Sequence, residues 1–88
     1  MTFQASPRFW HMFKNLPVDI QRLAVKNYHL WQANPSHPSL RYRRLEGREN
    51  LETVRIGDHY RAIGLIEPGV VAWIWIGPHS EYNQLTRG

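Results

Sequence analysis

LETVRIGDHYRAIGLIEPGVVAWIWIGPHSEYNQL, residues 51–85, contains three strand-like runs separated by two turns. In residues 51–56, Val54 and Ile56 fall on one side and Thr53 and Arg55 on the other, the two-residue alternation of a strand. Gly57-Asp58 reads as a two-residue hairpin loop with glycine first. Residues 59–66 return, with Tyr60, Ala62 and Ile66 opposing Arg61, Ile63 and Leu65. Glu67-Pro68-Gly69 turns the chain again. Residues 70–76 are apolar on both sides, as expected of an interior strand covered on both faces. Beyond Gly77-Pro78 come His79, Glu81 and Tyr82. Ser80 reads as the N-cap of a short final helix, with Glu81 in its first turn. A sheet that carries Arg55, Arg61, His79 and Tyr82 toward one edge suits a phosphodiester substrate.

The first third of the chain has helical spacing. Ser6-Pro7 supplies an N-cap and a proline at the first helical position. Phe9, Met12, Phe13 and Leu16 follow at i, i+3, i+4 and i+7. Pro17 opens a second helix with Asp19 in its first turn, and Ile20, Leu23, Ala24, Tyr28 and Trp31 form its buried stripe. This helix ends near Asn34-Pro35. Residues 35–39, PSHPS, make a rigid loop. Residues 40–45 read as a strand with Arg41 and Arg43 on one side and Tyr42 and Arg44 on the other, and 47–50 as a turn. Thr2 to Gln4 can add an edge strand. The expectation is one α+β domain: two N-terminal antiparallel helices packed on a small antiparallel sheet, with a short C-terminal helix.

Eighty-eight residues suit one small domain. The absence of cysteine excludes a disulfide, a thiolate metal site and a thiol nucleophile, and fits a reducing cytoplasm. MTFQASPRF lacks the basic start and apolar run of a signal peptide. The apolar run from 69 to 77 is far shorter than the roughly 20 residues of a spanning helix, so no membrane role is expected. No cofactor is called for: histidines 11, 29, 37 and 59 show no zinc spacing, and there is no phosphate loop or nucleophile elbow.

Net charge is +4, and residues 41–61 hold six of the eleven basic residues against four acids. All six are arginines, whose planar fork matches phosphate oxygens at two points. A solvated cationic face, or a surface that meets an acidic protein, explains the same charge. His79 is placed to move protons near neutral pH, or is a surface loop histidine. Arg55 and Arg61 need an anion, or an acid partner such as Glu52 or Glu81. Tyr82 is placed to stack on a base or bond a phosphate, or to pack against Trp73 or Trp75.

The ordered set SPRFWHMFKNLP, DIQRLAVKNYHLWQANPSHPSLRYRRLEG, VRIGDHYRAIG and WIWIGPHSEY resembles the RelE/ParE superfamily of bacterial toxins over nearly the whole chain. The resemblance implies a small toxin paired with an antitoxin, here expected to be acidic. In the RelE branch it implies action on the ribosome, where mRNA is cut by attack of the 2′-hydroxyl on the adjacent phosphate. On that reading Arg55 and Arg61 match the sheet arginines, His79 and Tyr82 the C-terminal pair, and Arg41, Arg43 and Arg44 a basic strand that meets RNA. Two departures stand out: Ser80 replaces the acidic residue or second histidine of many relatives, and arginine alone represents the lysine-rich site of some nucleases. An arginine stays protonated and is a poor proton shuttle. His79 is then the main acid/base group, with Glu46 and Glu81 as possible bases. The ParE branch implies instead a DNA gyrase inhibitor without that chemistry, and a degenerate member would only bind its partner protein.

Overall fold

In chain order, the computed structural model has strand β1 (Thr2–Ala5), helix α1 (Pro7–Lys14), helix α2 (Val18–Ala33), a 3-10 turn (Pro38–Leu40), strands β2 (Arg43–Arg44), β3 (Leu51–Ile56), β4 (Tyr60–Glu67) and β5 (Val70–Pro78), and helix α3 (His79–Thr86). It describes residues 2–45 and 50–86. Glu46 and most of the turn expected at 47–50 lie outside that set.

The helices start and stop where local chemistry says they should. The Ser6 side chain accepts the Phe9 N–H at 3.0 Å, which caps α1. Asn15 closes α1 through backbone bonds from its N–H. Gln21, one turn into α2, donates to the Leu16 carbonyl at 2.9 Å and so ties the α1–α2 connection. Both helices lie on one face of the sheet. Phe9 and Trp31 there join Val54, Ile56, Ala62, Val71, Trp73 and Ile76 in the main core. Trp31 and Trp73 meet edge-on at 5.5 Å. The helices pack mainly against strands rather than against each other. An apolar cleft of about 130 Å³, lined by Phe13, Ala24, Tyr28 and Val54 among others, runs between them.

The sheet order is β1-β5-β4-β3-β2. β2 through β5 pair antiparallel as a meander. The expected all-antiparallel sheet is corrected at one edge: β1 runs parallel to β5, from Thr2 opposite Val70 to Ala5 opposite Trp73. Its pairing continues into the cap, where the Ser6 N–H donates to the Trp73 carbonyl at 3.1 Å. β5 is thereby an interior strand. It is also longer than its apolar run, since Pro78 still pairs with Tyr60.

Three local expectations are also corrected. Residues 40–45 are not one strand. His37 caps a 3-10 turn through its Nδ1, which accepts the Ser39 N–H at 3.2 Å. Leu40 drops into the core with no exposed surface. Arg41 takes a left-handed conformation, φ 46°, and only Arg43 and Arg44 pair with β3. Burial of Leu40 outweighs the regular strand that alternation suggested. The β3–β4 loop has three residues, Gly57 to His59, because Ile56 pairs with Tyr60; Gly57 has φ 64°. Finally, α3 begins at His79, so Ser80 is not its cap.

A bulge sorts the two tryptophans of β5. Ile63 pairs with Trp75 and Gly64 with Trp73, which leaves Ile74 as the extra residue. Trp73 therefore faces the helices and Trp75 the opposite side. Gly64 is required there: a Cβ would lie 2.7 Å from Val71 Cγ1 and 3.1 Å from the Trp73 ring.

Candidate functional site

On the face away from α1 and α2, two rows of side chains cross the sheet. One is Arg43, Thr53, Ile63 and Trp75; the other is Arg55, Arg61 and Gly77. Alternation along each strand places these residues opposite the main core. α3 packs at the Gly77 end of this face and delivers Tyr82 to it.

Arg55 and Arg61 sit directly across from one another, yet their surroundings differ. Arg55 is occupied by its own hairpin loop: Nε donates to the Gly57 carbonyl at 2.7 Å and Nη2 to Asp58 Oδ1 at 2.6 Å. The acid partner is Asp58, rather than Glu52 or Glu81. Arg61 lies over the Tyr82 ring, its guanidinium carbon 5.1 Å from the ring centre. Its Nε and Nη1 are buried and have no hydrogen-bond partner among the described residues. Burial lowers its pKa from the ordinary arginine value, and the charges of Arg43, Arg55 and Arg41 push the same way, against Tyr82. A guanidinium stays charged regardless. The result is a partly buried cation flanked by other cations, an arrangement that an anion would relieve. The Thr53 hydroxyl, also buried on this face, likewise lacks a partner among the described residues.

The basic strand is split. Arg43 faces the Arg61 side, whereas Arg44 pairs across from Glu52 and so projects to the other side of the sheet. Arg41, in its left-handed turn, is close enough to bear on Arg61. Also on the helix side, the Tyr42 phenol is pushed well above its usual range by burial and by the Glu52 carboxylate.

Tyr82 is 6% exposed. Its ring is engaged by Arg61, by His79 stacked at 6.2 Å and 19°, and by Trp75 at 6.4 Å. Of the two tryptophans considered for packing, Trp75 is the one it meets. Glu81 is exposed, with its carboxylate close to Gly77.

His79 is half-buried at the start of α3. Its N–H donates to the His59 carbonyl at 2.6 Å, and its Nδ1 lies 3.4 Å from Asn83 Nδ2. His79, His59, Tyr60, Ser80 and Asn83 line an open hollow of about 350 Å³. The structure thus brings Arg61, Tyr82 and His79 together, keeps Arg55 and Arg43 beside them, and leaves Arg44 apart. Sequence reading passed over His59. The signal was the register: once Pro78 pairs with Tyr60, the next residues outward are His79 and His59.

A family model described as the ParE-like toxin domain matches residues 18–84. The chain belongs to this family. Its membership of the RelE/ParE superfamily of toxins rests on that match and on close likeness in fold to solved toxins. The RelB–RelE antitoxin–toxin complex from Methanococcus jannaschii aligns with TM-score 0.75 at 14% identity, covering 93% of this chain and 96% of the other. A YoeB/ParE toxin from Agrobacterium tumefaciens gives 0.72 at 12%, over 90% and 99%. The isolated Escherichia coli RelE toxin gives 0.68 at 14%, over 97% and 95%. Comparison with curated protein sequences gives no match. Among the described residues of this ParE-like chain, no helix is long and apolar enough to cross a membrane.

Proposed function

We propose that this ParE-like chain is the toxin of a toxin–antitoxin pair, acts in the cytoplasm, and is a ribosome-dependent mRNA endonuclease that blocks translation. One observation carries the reading. Two nitrogens of the half-buried Arg61 guanidinium lack a hydrogen-bond partner among the described residues, and Tyr82 stands between this group and a histidine at the rim of an open hollow. A scissile phosphate seated on Arg61 gives that cation the anion it lacks. The charge that grows on phosphate oxygens during attack by the 2′-hydroxyl is then met by a preorganised donor. His79 supplies the proton to the leaving 5′-oxygen. Arg43 and Arg41 guide the flanking phosphates, and Arg55 adds to the field from its loop. Arg44 reaches RNA only from the other side of the sheet.

An acidic antitoxin segment suits the same cationic face. Structures of a RelB–RelE complex and of the Escherichia coli DinJ–YafQ complex support a protein partner for chains of this fold. The ParE-like description of the matching family favours a second reading, in which the chain binds DNA gyrase and cuts nothing.

Induced expression separates the readings. Translation arrest with cut mRNA supports the nuclease, and a DNA-damage response the gyrase inhibitor; absence of any growth defect points to a member that only binds its partner. For the nuclease, single-turnover cleavage on programmed ribosomes is decisive. His79→Ala should lose ~10²–10⁴-fold in rate, the usual contribution of general acid–base catalysis, while ribosome binding persists. Cleavage within about twofold of wild type removes His79 from the mechanism.

A further inference from the structure

We infer that His59 is the general base that complements His79, so that the two imidazoles form an acid/base couple across the open end of the β4–β5 pair. The inference rests on the nuclease reading and completes it. That reading has an acid, His79, and no assigned base: Asp58 is paired with Arg55, the Glu81 carboxylate lies close to Gly77, and Glu46 is outside the described residues.

The geometry that supports His59 is built by the backbone. Tyr60 pairs with Pro78, so the antiparallel ladder brings the residues just outside that pair together. The His79 N–H donates to the His59 carbonyl at 2.6 Å, which locks the two positions side by side at the mouth of the sheet. Both residues line the same open hollow of about 350 Å³, large enough for one sugar–phosphate unit. His59 is exposed and ends a three-residue loop that Arg55 holds in shape through Gly57 and Asp58. Nothing in the core accounts for an imidazole there. The loop's own hydrogen bonds run through Arg55, Gly57 and Asp58, and the bond to α3 uses only the His59 main chain. Asn83, one helical turn after His79, lies 3.4 Å from His79 Nδ1. In protonated His79 both ring nitrogens are donors, so the Asn83 side-chain amide would turn its oxygen to Nδ1–H, leaving Nε2–H for the leaving oxygen.

The step balances without a further reactant. Neutral His59 takes the proton of the 2′-hydroxyl. The 2′-oxygen bonds to phosphorus as the bond from phosphorus to O5′ breaks. Protonated His79 gives its proton to O5′, and the negative charge stays on the phosphate oxygens beside Arg61. The products are a 2′,3′-cyclic phosphate and a 5′-hydroxyl. Exchange with water resets both imidazoles.

His59→Ala tests the side chain alone, because the carbonyl that holds His79 survives the substitution. Single-turnover cleavage on programmed ribosomes would use two mRNAs, one normal and one with sulfur replacing the scissile O5′. A thiolate leaves without a proton and so makes the acid dispensable. On the normal mRNA, His59→Ala and His79→Ala should each lose ~10²–10⁴-fold. On the thio mRNA His79→Ala should recover to within about tenfold of wild type, while His59→Ala stays slow. Ribosome affinity of His59→Ala should remain within about twofold. If His59→Ala cuts the normal mRNA within about twofold of wild type, or recovers on the thio mRNA as fully as His79→Ala, His59 is not the base. If the wild-type chain cuts neither mRNA, the nuclease reading falls and takes the couple with it.

Discussion

The two faces of this sheet are built from the same strands and differ in the kind of polar group they leave without a partner. Toward α1 and α2, alternate residues of β3, β4 and β5 meet Phe9 and Trp31 in an apolar core, where the neutral indole N–H groups of Trp31 and Trp73 are buried without a hydrogen-bond partner among the described residues. Toward α3, the intervening residues include two nitrogens of Arg61 and the Thr53 hydroxyl, which lack a hydrogen-bond partner among the described residues, and the nearby charges of Arg43 and Arg55. Apolar burial offsets the two indoles on the first face, whereas the second face gathers charge. Leaving a buried donor unmade typically costs ~1–3 kcal/mol. Among the described residues the charged donors, those of Arg61, lie on one face alone, and they are the ones that an anion would complete.

The largest stability effect should come from the helix side. Trp31 is buried against Trp73, Tyr42 and Tyr28. Trp31→Ala should destabilise by ~3–5 kcal/mol, read as a fall in urea midpoint. A loss under ~1 kcal/mol would mean that the core does not centre on this residue.

How much of this contrast the sequence discloses depends on the range of the interactions. The helix stripes from Phe9 and Ile20, the Ser6 cap and the turns at Gly57 and Gly69 are local, and local periodicity or turn chemistry shows them. The parallel pairing of β1 depends on contact between residues 2–5 and 70–73, which no local pattern encodes. The bulge at Ile74 hides inside an unbroken apolar run; only the pairing shows that Trp73 and Trp75 part to opposite faces. Leu40 reads as the first residue of a strand because alternation cannot see a 3-10 turn driven by one buried side chain. At the site, residue types pointed to Arg61, His79 and Tyr82. Which arginine is free, and which histidine stands beside His79, are consequences of register and could not be read in advance. Arg55 and Arg61 look equivalent until the Gly57–Asp58 loop is seen to hold one of them.

That difference makes Arg61 the sharper test of the second face. Arg61→Met keeps much of the volume and removes the orphaned donors. It should leave the protein as stable as wild type or more so, by about 1 kcal/mol. Cleavage should drop ~10²–10³-fold, as when one preorganised transition-state donor is lost. Opposite signs in the two measurements identify a group kept for function against stability. A variant that both unfolds more easily and cuts normally would make Arg61 a structural residue and erase the contrast between the faces.

Arg55 should give the smallest effect. Its partner Asp58 is mostly exposed, with 78% side-chain accessibility against 28% for Arg55. Exposed pairs of this kind contribute ~0–1 kcal/mol, and salt screens them. Asp58→Ala should therefore cost less than about 1 kcal/mol, with most of that loss gone at 1 M salt. Its effect on cleavage is more telling than its effect on stability. In the wild-type chain Arg55 Nη2 is spent on the loop, whereas removal of the carboxylate frees it to face Arg61 across the ladder. The added repulsion raises the demand of this face for an anion, so RNA affinity at low salt should rise slightly, by less than tenfold, and fall back at high salt. Loop geometry is still held through Arg55 Nε and the Gly57 carbonyl. A tighter, more salt-sensitive Asp58→Ala would show that the loop acid tempers a cationic site. Weaker binding at every salt concentration would show instead that Asp58 shapes the loop itself, and that Arg55 never competes with Arg61 for the phosphate.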